Sequence, residues 1–174
     1  RLRIIEGDAM DPTSVSSVLS GHDAVLCTLG NMPEDKKNRM RRQPDVPICS
    51  VGTRNILAAM HTSDCRRLVI ESSASVGNSY GAAVLGAGFI VRLALKQVMA
   101  DKELQEAEVR ASACDWTILR PVKLTNAPAK GILKAGVDLR WNIASRATRA
   151  DVANFMVSVL ADRDTYGKAI TLRN

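Results

Sequence analysis

Apolar runs of strand length alternate along this chain with segments whose apolar residues recur at helical spacing. That alternation predicts βαβ units around a mostly parallel sheet. Leu2–Ile5 reads as a short strand ended by Gly7-Asp8. Asp11-Pro12 supplies an N-cap and a proline at the first helical position. Val15, Val18 and Leu19 follow at helical spacing, and Gly21 stops that helix. Ala24–Leu29 is continuously apolar apart from Thr28, as expected of a strand covered on both faces, and Gly30-Asn31 ends it. A polar loop, Met32 to Pro47, precedes a helix that runs from about Val46 or Ile48 to His61. Leu68–Ser73 is the next strand. A glycine-rich stretch, Gly77 to Gly88, then leads into one long helix ending near Ala111. Trp116–Arg120 reads as a strand stopped by Pro121. Thr148–Asp151 has the form of a capping box for a helix carrying Val152, Phe155, Met156, Val159 and Leu160, and Ala169–Leu172 is the closing strand.

Composition narrows this picture. The 174 residues, 46% of them apolar and 24% charged, suit one α/β domain over 1–174 and exclude a disordered chain. No run of about 18 apolar residues occurs, so no spanning helix is expected. Gly81 to Ala100, the longest candidate, is broken by Arg92, Lys96 and three glycines. The net charge of +6 is spread along the chain, and the 3% aromatic content argues against a base-stacking nucleic-acid surface. Cys27, Cys49, Cys65 and Cys114 fall singly and only two histidines are present, so no metal site is expected. Reduced thiols and the lack of a secretory pattern at the start point to a soluble reducing compartment, cytoplasm or an organelle matrix or stroma.

Candidate chemistry sits at the carboxyl ends of the strands, where open α/β sheets bind ligands. Four such features fall in register: Gly7-Asp8, Gly30-Asn31, Ser72-Ser73 and Arg120-Pro121-Val122. Lys102 is the most informative single residue. At 100° per residue it shares a stripe about 60° wide with Val91, Leu95, Val98 and Val109, whereas Arg92, Lys96, Glu103 and Arg110 lie off it. A lysine on a buried face either snorkels past the helix end or presents its ammonium to a partner in a cleft, and the cleft is favoured. The loop Lys36–Arg42 carries five cations that could meet phosphate, nucleic acid or an acidic partner. With no aromatic residue among them, a solvated loop is favoured.

These stretches resemble the atypical short-chain dehydrogenase/reductases, specifically the NAD(P)H-binding NmrA-like group that includes biliverdin reductase B and flavin reductase-type proteins. The resemblance rests on Gly7-Asp8-Ala9, Asp23–Gly30, Val51–Ile56, Arg67–Ser73, Asp101-Lys102-Glu103, Asp115–Pro121 and Arg149–Ala153, in the family's order over nearly the whole chain. It implies a Rossmann-type doubly wound parallel sheet that binds NADP or NAD. It places Asp8 and the Ala9 backbone near the adenine, and Leu29-Gly30 along the adenosine ribose. Ser73, with Ser72 behind it, faces the nicotinamide and substrate. Lys102, 18 positions before Arg120, matches the lysine that bonds the nicotinamide ribose, and the Pro121-Val122 backbone meets the carboxamide.

Two departures from the family pattern stand out. Its Tyr-x-x-x-Lys reads Val98-x-x-x-Lys102 here, so the usual phenolic proton donor is absent. Tyr80 is the candidate replacement, and Cys49 stands where extended members often keep an asparagine. The glycine-rich phosphate loop with the first two strands has no match either. The resemblance therefore implies an N-terminal βαβα segment outside these residues, and a Leu2–Ile5 strand left without its sheet neighbours. The activity implied is NAD(P)H-dependent reduction of a small planar acceptor such as a flavin or quinone. The alternative is a catalytically silent nucleotide-binding or scaffold subunit with a protein partner. Nucleic acid is not an expected partner.

Overall fold

In a computed structural model, residues 2–30 and 46–174 are described. The expected loop Lys36–Arg42 lies outside them. The elements are α1 (Pro12–Leu19), β1 (Ala24–Cys27), α2 (Ile48–Thr62), β2 (Arg67–Glu71), α3 (Ala87–Ala94), α4 (Lys96–Ala111), β3 (Asp115–Pro121), β4 (Lys123–Thr125), β5 (Lys134–Gly136), β6 (Arg146–Thr148), α5 (Arg149–Ser158) and β7 (Lys168–Arg173). The main sheet runs β1-β2-β3-β7-β5. Its first four strands are parallel, and β5 adds antiparallel to β7. β4 and β6 form a separate two-stranded parallel ladder.

Both faces of the sheet are covered, and the strand alternation shows how. Leu68, Ile70 and Ile118 turn to one side, onto Val15 and Leu19 of α1, Ala59 and Met60 of α2, and Val109 of α4. Val69, Leu119, Ile170 and Leu172 turn to the other, onto Val152 and Met156 of α5 together with Trp141 and Ala147. A parallel sheet buried on both faces is the doubly wound Rossmann arrangement.

Several local expectations are corrected. Leu2–Ile5 forms no strand; Leu2 and Ile4 are each 87% exposed, because no strand lies beside them to take their backbone groups. β1 ends the sheet, and its outer edge pairs with nothing among the described residues. β3 does end at Pro121, which is itself the last residue of the strand. Pro121 pairs with Leu172, and the donor that proline lacks is supplied one residue later, by Val122 N–H to the Leu172 carbonyl at 3.1 Å. The single long helix is two, interrupted at Leu95 (φ −129°, ψ 36°). The break lets Val91 and Leu95 pack on the same small cluster, Val76, Val98 and Met99, that α4 covers. Half of the capping box forms: Thr148 Oγ1 accepts from Asp151 N–H at 3.0 Å. The reciprocal half is replaced, with Thr148 N–H donating to Asn174 Oδ1 at 2.8 Å.

Candidate functional site

Lys102 projects from α4 into the crevice at the carboxyl ends of β1 and β2. Its Nζ donates to the Glu71 carbonyl at 2.9 Å and to the Leu29 carbonyl at 3.3 Å, and the residue is 8% exposed. Two of its three ammonium donors are thereby committed to holding adjacent strand ends, and one remains. The Glu71 side chain is pushed above the usual carboxylate range by burial, against the opposing pull of Lys102 and then Arg149.

Around Leu29 three elements converge. Gly52 of α2 packs so closely that a Cβ there would lie 2.6 Å from Leu29 Cδ1 and 3.3 Å from Ala9 Cβ. Asn55 Nδ2 donates to the Ala9 carbonyl at 2.9 Å. The Cys49 thiol donates to the Leu29 carbonyl at 3.4 Å, and burial pushes that thiol up to about 11. Asp8 is exposed; its carboxylate accepts from Met10 N–H at 2.8 Å, and its own N–H donates to Ser14 Oγ at 2.9 Å. Gly30 is exposed, with open space where a side chain would stand. Asp8-Ala9, Leu29-Gly30 and Lys102 are thus linked around one crevice.

The remaining expected residues are placed differently. Ser72 is engaged one turn further along α4 than Lys102, its Oγ donating to Glu106 at 2.6 Å. The same carboxylate receives Arg120 Nε at 2.9 Å and Nη2 at 2.6 Å, and Glu106 and Arg120 line a cavity of about 280 Å³ with Val76, Gly77 and Asn78. Ser73 is half-buried, and its hydroxyl accepts from Ser75 N–H at 3.4 Å. The Tyr80 ring lies against Gly88 of α3 beneath the Arg92 guanidinium, 5.1 Å from its centroid. At Pro121-Val122 the Pro121 carbonyl already accepts from Ala74 N–H and the Val122 N–H already donates to Leu172, leaving only the Val122 carbonyl.

Sequence reasoning gave no role to Asp101 or Glu106. Asp101 of α4 caps α2 from outside: its carboxylate takes Cys49 N–H at 2.9 Å, Ser50 N–H at 3.0 Å and Ser50 Oγ at 2.6 Å. This satisfies donors that every helix N-terminus leaves open. Its adjacency to Lys102 was the available signal. For Glu106 the signal was its spacing, one turn after Lys102 on the buried side of the helix.

A family model described as NAD(P)H-binding matches residues 1–163. Among solved structures, the chain is similar to a short-chain dehydrogenase/reductase of wide type from Veillonella parvula in complex with NADP. Identity is 17% and the TM-score 0.77, over 98% of this chain and 71% of that one. It is also similar to ChuY, an anaerobillin reductase from Escherichia coli O157:H7 (19%, TM-score 0.73, 95% of this chain and 72% of that one). The oxidoreductase ylbE from Lactococcus lactis is a third (20%, TM-score 0.72, 99% and 71%). A comparison with curated proteins finds no match.

Proposed function

The chain belongs to the NAD(P)H-binding family, and from that premise we propose that it is an NAD(P)H-dependent oxidoreductase acting on a small planar acceptor such as a flavin or quinone. The observation that carries the proposal is Lys102, buried in the crevice with two donors anchored on Leu29 and Glu71 and the third left over. That donor suits a ribose hydroxyl, and open α/β sheets bind their ligands at this end of the strands. Leu29-Gly30 and Asp8-Ala9 line the adjoining side for the adenosine, and Gly30 leaves the approach open. When bound, the dinucleotide supplies a hydride, an electron pair with its hydrogen, to the acceptor; water supplies the proton that completes the reduction.

An acceptor of this kind suits the residues present. Val98 occupies the place of the phenolic donor, is 6% exposed and packs with Val76 and Met99, so nothing at that position can protonate a carbonyl. Tyr80 stacks beneath Arg92, which leaves Ser73 to orient the acceptor. Quinones and flavins accept hydride with less acid assistance than carbonyls need.

The same Val98 favours a second reading, a catalytically silent nucleotide-binding subunit of a larger complex. The deciding experiment assays NADPH and NADH oxidation by the purified protein with FMN, riboflavin and a series of quinones. Turnover with at least one acceptor is the expected result. Micromolar NADPH binding without turnover on any of them would overturn the enzyme and leave the silent subunit.

A further inference from the structure

A basic cavity of about 330 Å³ lies on the other flank of the sheet, where Lys130, Arg146 and Arg173 meet Asn142, Ser145 and Asn174. β7, which carries Arg173, is two strands removed from β2 and its contact with Lys102. At the usual strand spacing that is roughly 10 Å. We propose that this cavity binds an oxyanion, a phosphate or a carboxylate group, at a site separate from the Lys102 crevice.

Its walls are fixed by hydrogen bonds. Asn174 donates its N–H to the Arg146 carbonyl at 2.8 Å, and its Nδ2 to the Ile132 carbonyl at 2.7 Å and Asp151 Oδ2 at 2.9 Å. Asn142 and Ser145 interlock, with Asn142 N–H donating to Ser145 Oγ at 3.0 Å. Arg146 is held in place by Nη1, which donates to the Ile143 and Ser145 carbonyls at 2.7 and 2.9 Å. Rigid donors of this kind lose little freedom when a ligand arrives.

Lys130, Arg146 and Arg173 form no ion pair among the described residues. The acid behind the wall, Asp151, is occupied: it accepts from Lys130 N–H, Gly131 N–H, Thr148 Oγ1 and Asn174 Nδ2. Arg173 Nε is buried and has no acceptor. The guanidinium groups of Arg146 and Arg173, both residues of intermediate exposure, and the Lys130 ammonium match the planar or tetrahedral oxygens of a carboxylate or phosphate. This assignment is independent of the oxidoreductase reading.

The test is calorimetric titration of the purified protein at low ionic strength with inorganic phosphate and, separately, succinate. Saturable binding of at least one is expected, and the stronger of the two identifies the group. Arg173→Gln and Arg146→Gln should each weaken it tenfold or more without changing NADPH affinity, while Lys102→Ala leaves it unchanged. Should the arginine variants fail to fold, Lys130→Gln on the exposed lip should weaken it at least threefold. Absence of saturable binding overturns the proposal. So does weakening by Lys102→Ala alone, which would place the anion in the dinucleotide crevice. Equal weakening by Lys168→Gln, at the start of β7, would reduce the effect to diffuse attraction and overturn it as well.

Discussion

Arg120 Nη2 of β3 lies 2.6 Å from Glu106 Oε2 of α4, and both side chains are almost fully buried. Glu106 also takes Ser72 Oγ from the end of β2, so one carboxylate joins two strand ends to the helix that carries Lys102. Removing one partner of a buried pair leaves the other charged and unpaired, which costs about 3–5 kcal/mol. Glu106→Gln should lower unfolding stability by that order in urea denaturation. A loss below about 1 kcal/mol would show that the Arg120 guanidinium is satisfied without the carboxylate, through Asn78 Oδ1 and solvent.

Gly77 meets the same guanidinium. Its φ of +59° is in the left-handed region, and a Cβ there would overlap Arg120 Nη2. Gly77→Ala therefore adds backbone strain of about 1–3 kcal/mol to a displaced buried ion. The thermal midpoint should fall by several degrees. An unchanged midpoint would mean that the turn re-forms with Arg120 elsewhere.

Lys102→Met keeps the length and apolar stem of the side chain while removing its donors. NADPH affinity measured by fluorescence titration should fall tenfold or more, whether or not the protein turns over an acceptor. Charge-assisted hydrogen bonds are worth about 1.5–3 kcal/mol, which sets that scale. Affinity within twofold of the parent would remove Lys102 from the crevice's binding role.

The inward direction of Lys102 was legible because it is a matter of helical phase, and α4 keeps that phase across Val98, Lys102 and Val109. β1, β2 and β3 were legible for a related reason: strands buried on both faces are written as unbroken apolar runs. Leu2–Ile5 has the same pattern and is no strand, since a strand exists only with a partner. The contacts of Asp101 with Cys49 and Ser50, and of Glu106 with Arg120, join residues that local pattern cannot relate. β5 (Lys134–Gly136) is three residues of mixed character and is held by pairing with Leu172 rather than by its own propensity. The break at Leu95 sits among good helix formers, so local propensity gave no sign of it, and residues of both halves pack on one small cluster.

The four thiols are free and differ in access: Cys27, Cys49 and Cys65 are buried, Cys114 partly exposed. Burial raises all three buried thiols, Cys49 to about 11, so at pH 8 almost none of the Cys49 population is thiolate. Iodoacetamide on the folded protein should label Cys114 first and leave Cys49 unmodified until urea unfolds the chain. Mass spectrometry of the labelled peptides reads the order. Rapid modification of Cys49 in the folded state would show that the α2 N-terminus opens.

Asp151 yields a pH dependence whose sign is fixed by its surroundings. Hydrogen bonds from Lys130 N–H first, then Thr148, Asn174 and Gly131, hold its carboxyl at about 2, below the ordinary value of 3.8. A carboxylate depressed in the folded state contributes stability that is complete above its unfolded value. That stability is lost as the pH falls through the folded one, so the window is about pH 4 down to pH 2. The thermal midpoint of the parent should decline across that window as the knot joining Lys130, Thr148 and Asn174 is protonated. Asp151→Asn, which cannot ionise, should be less stable than the parent at pH 7. Its midpoint should also fall less steeply between pH 4 and 2, so that the two curves converge in acid. Parallel curves over that range would show that the acid sensitivity of the fold resides in other carboxylates.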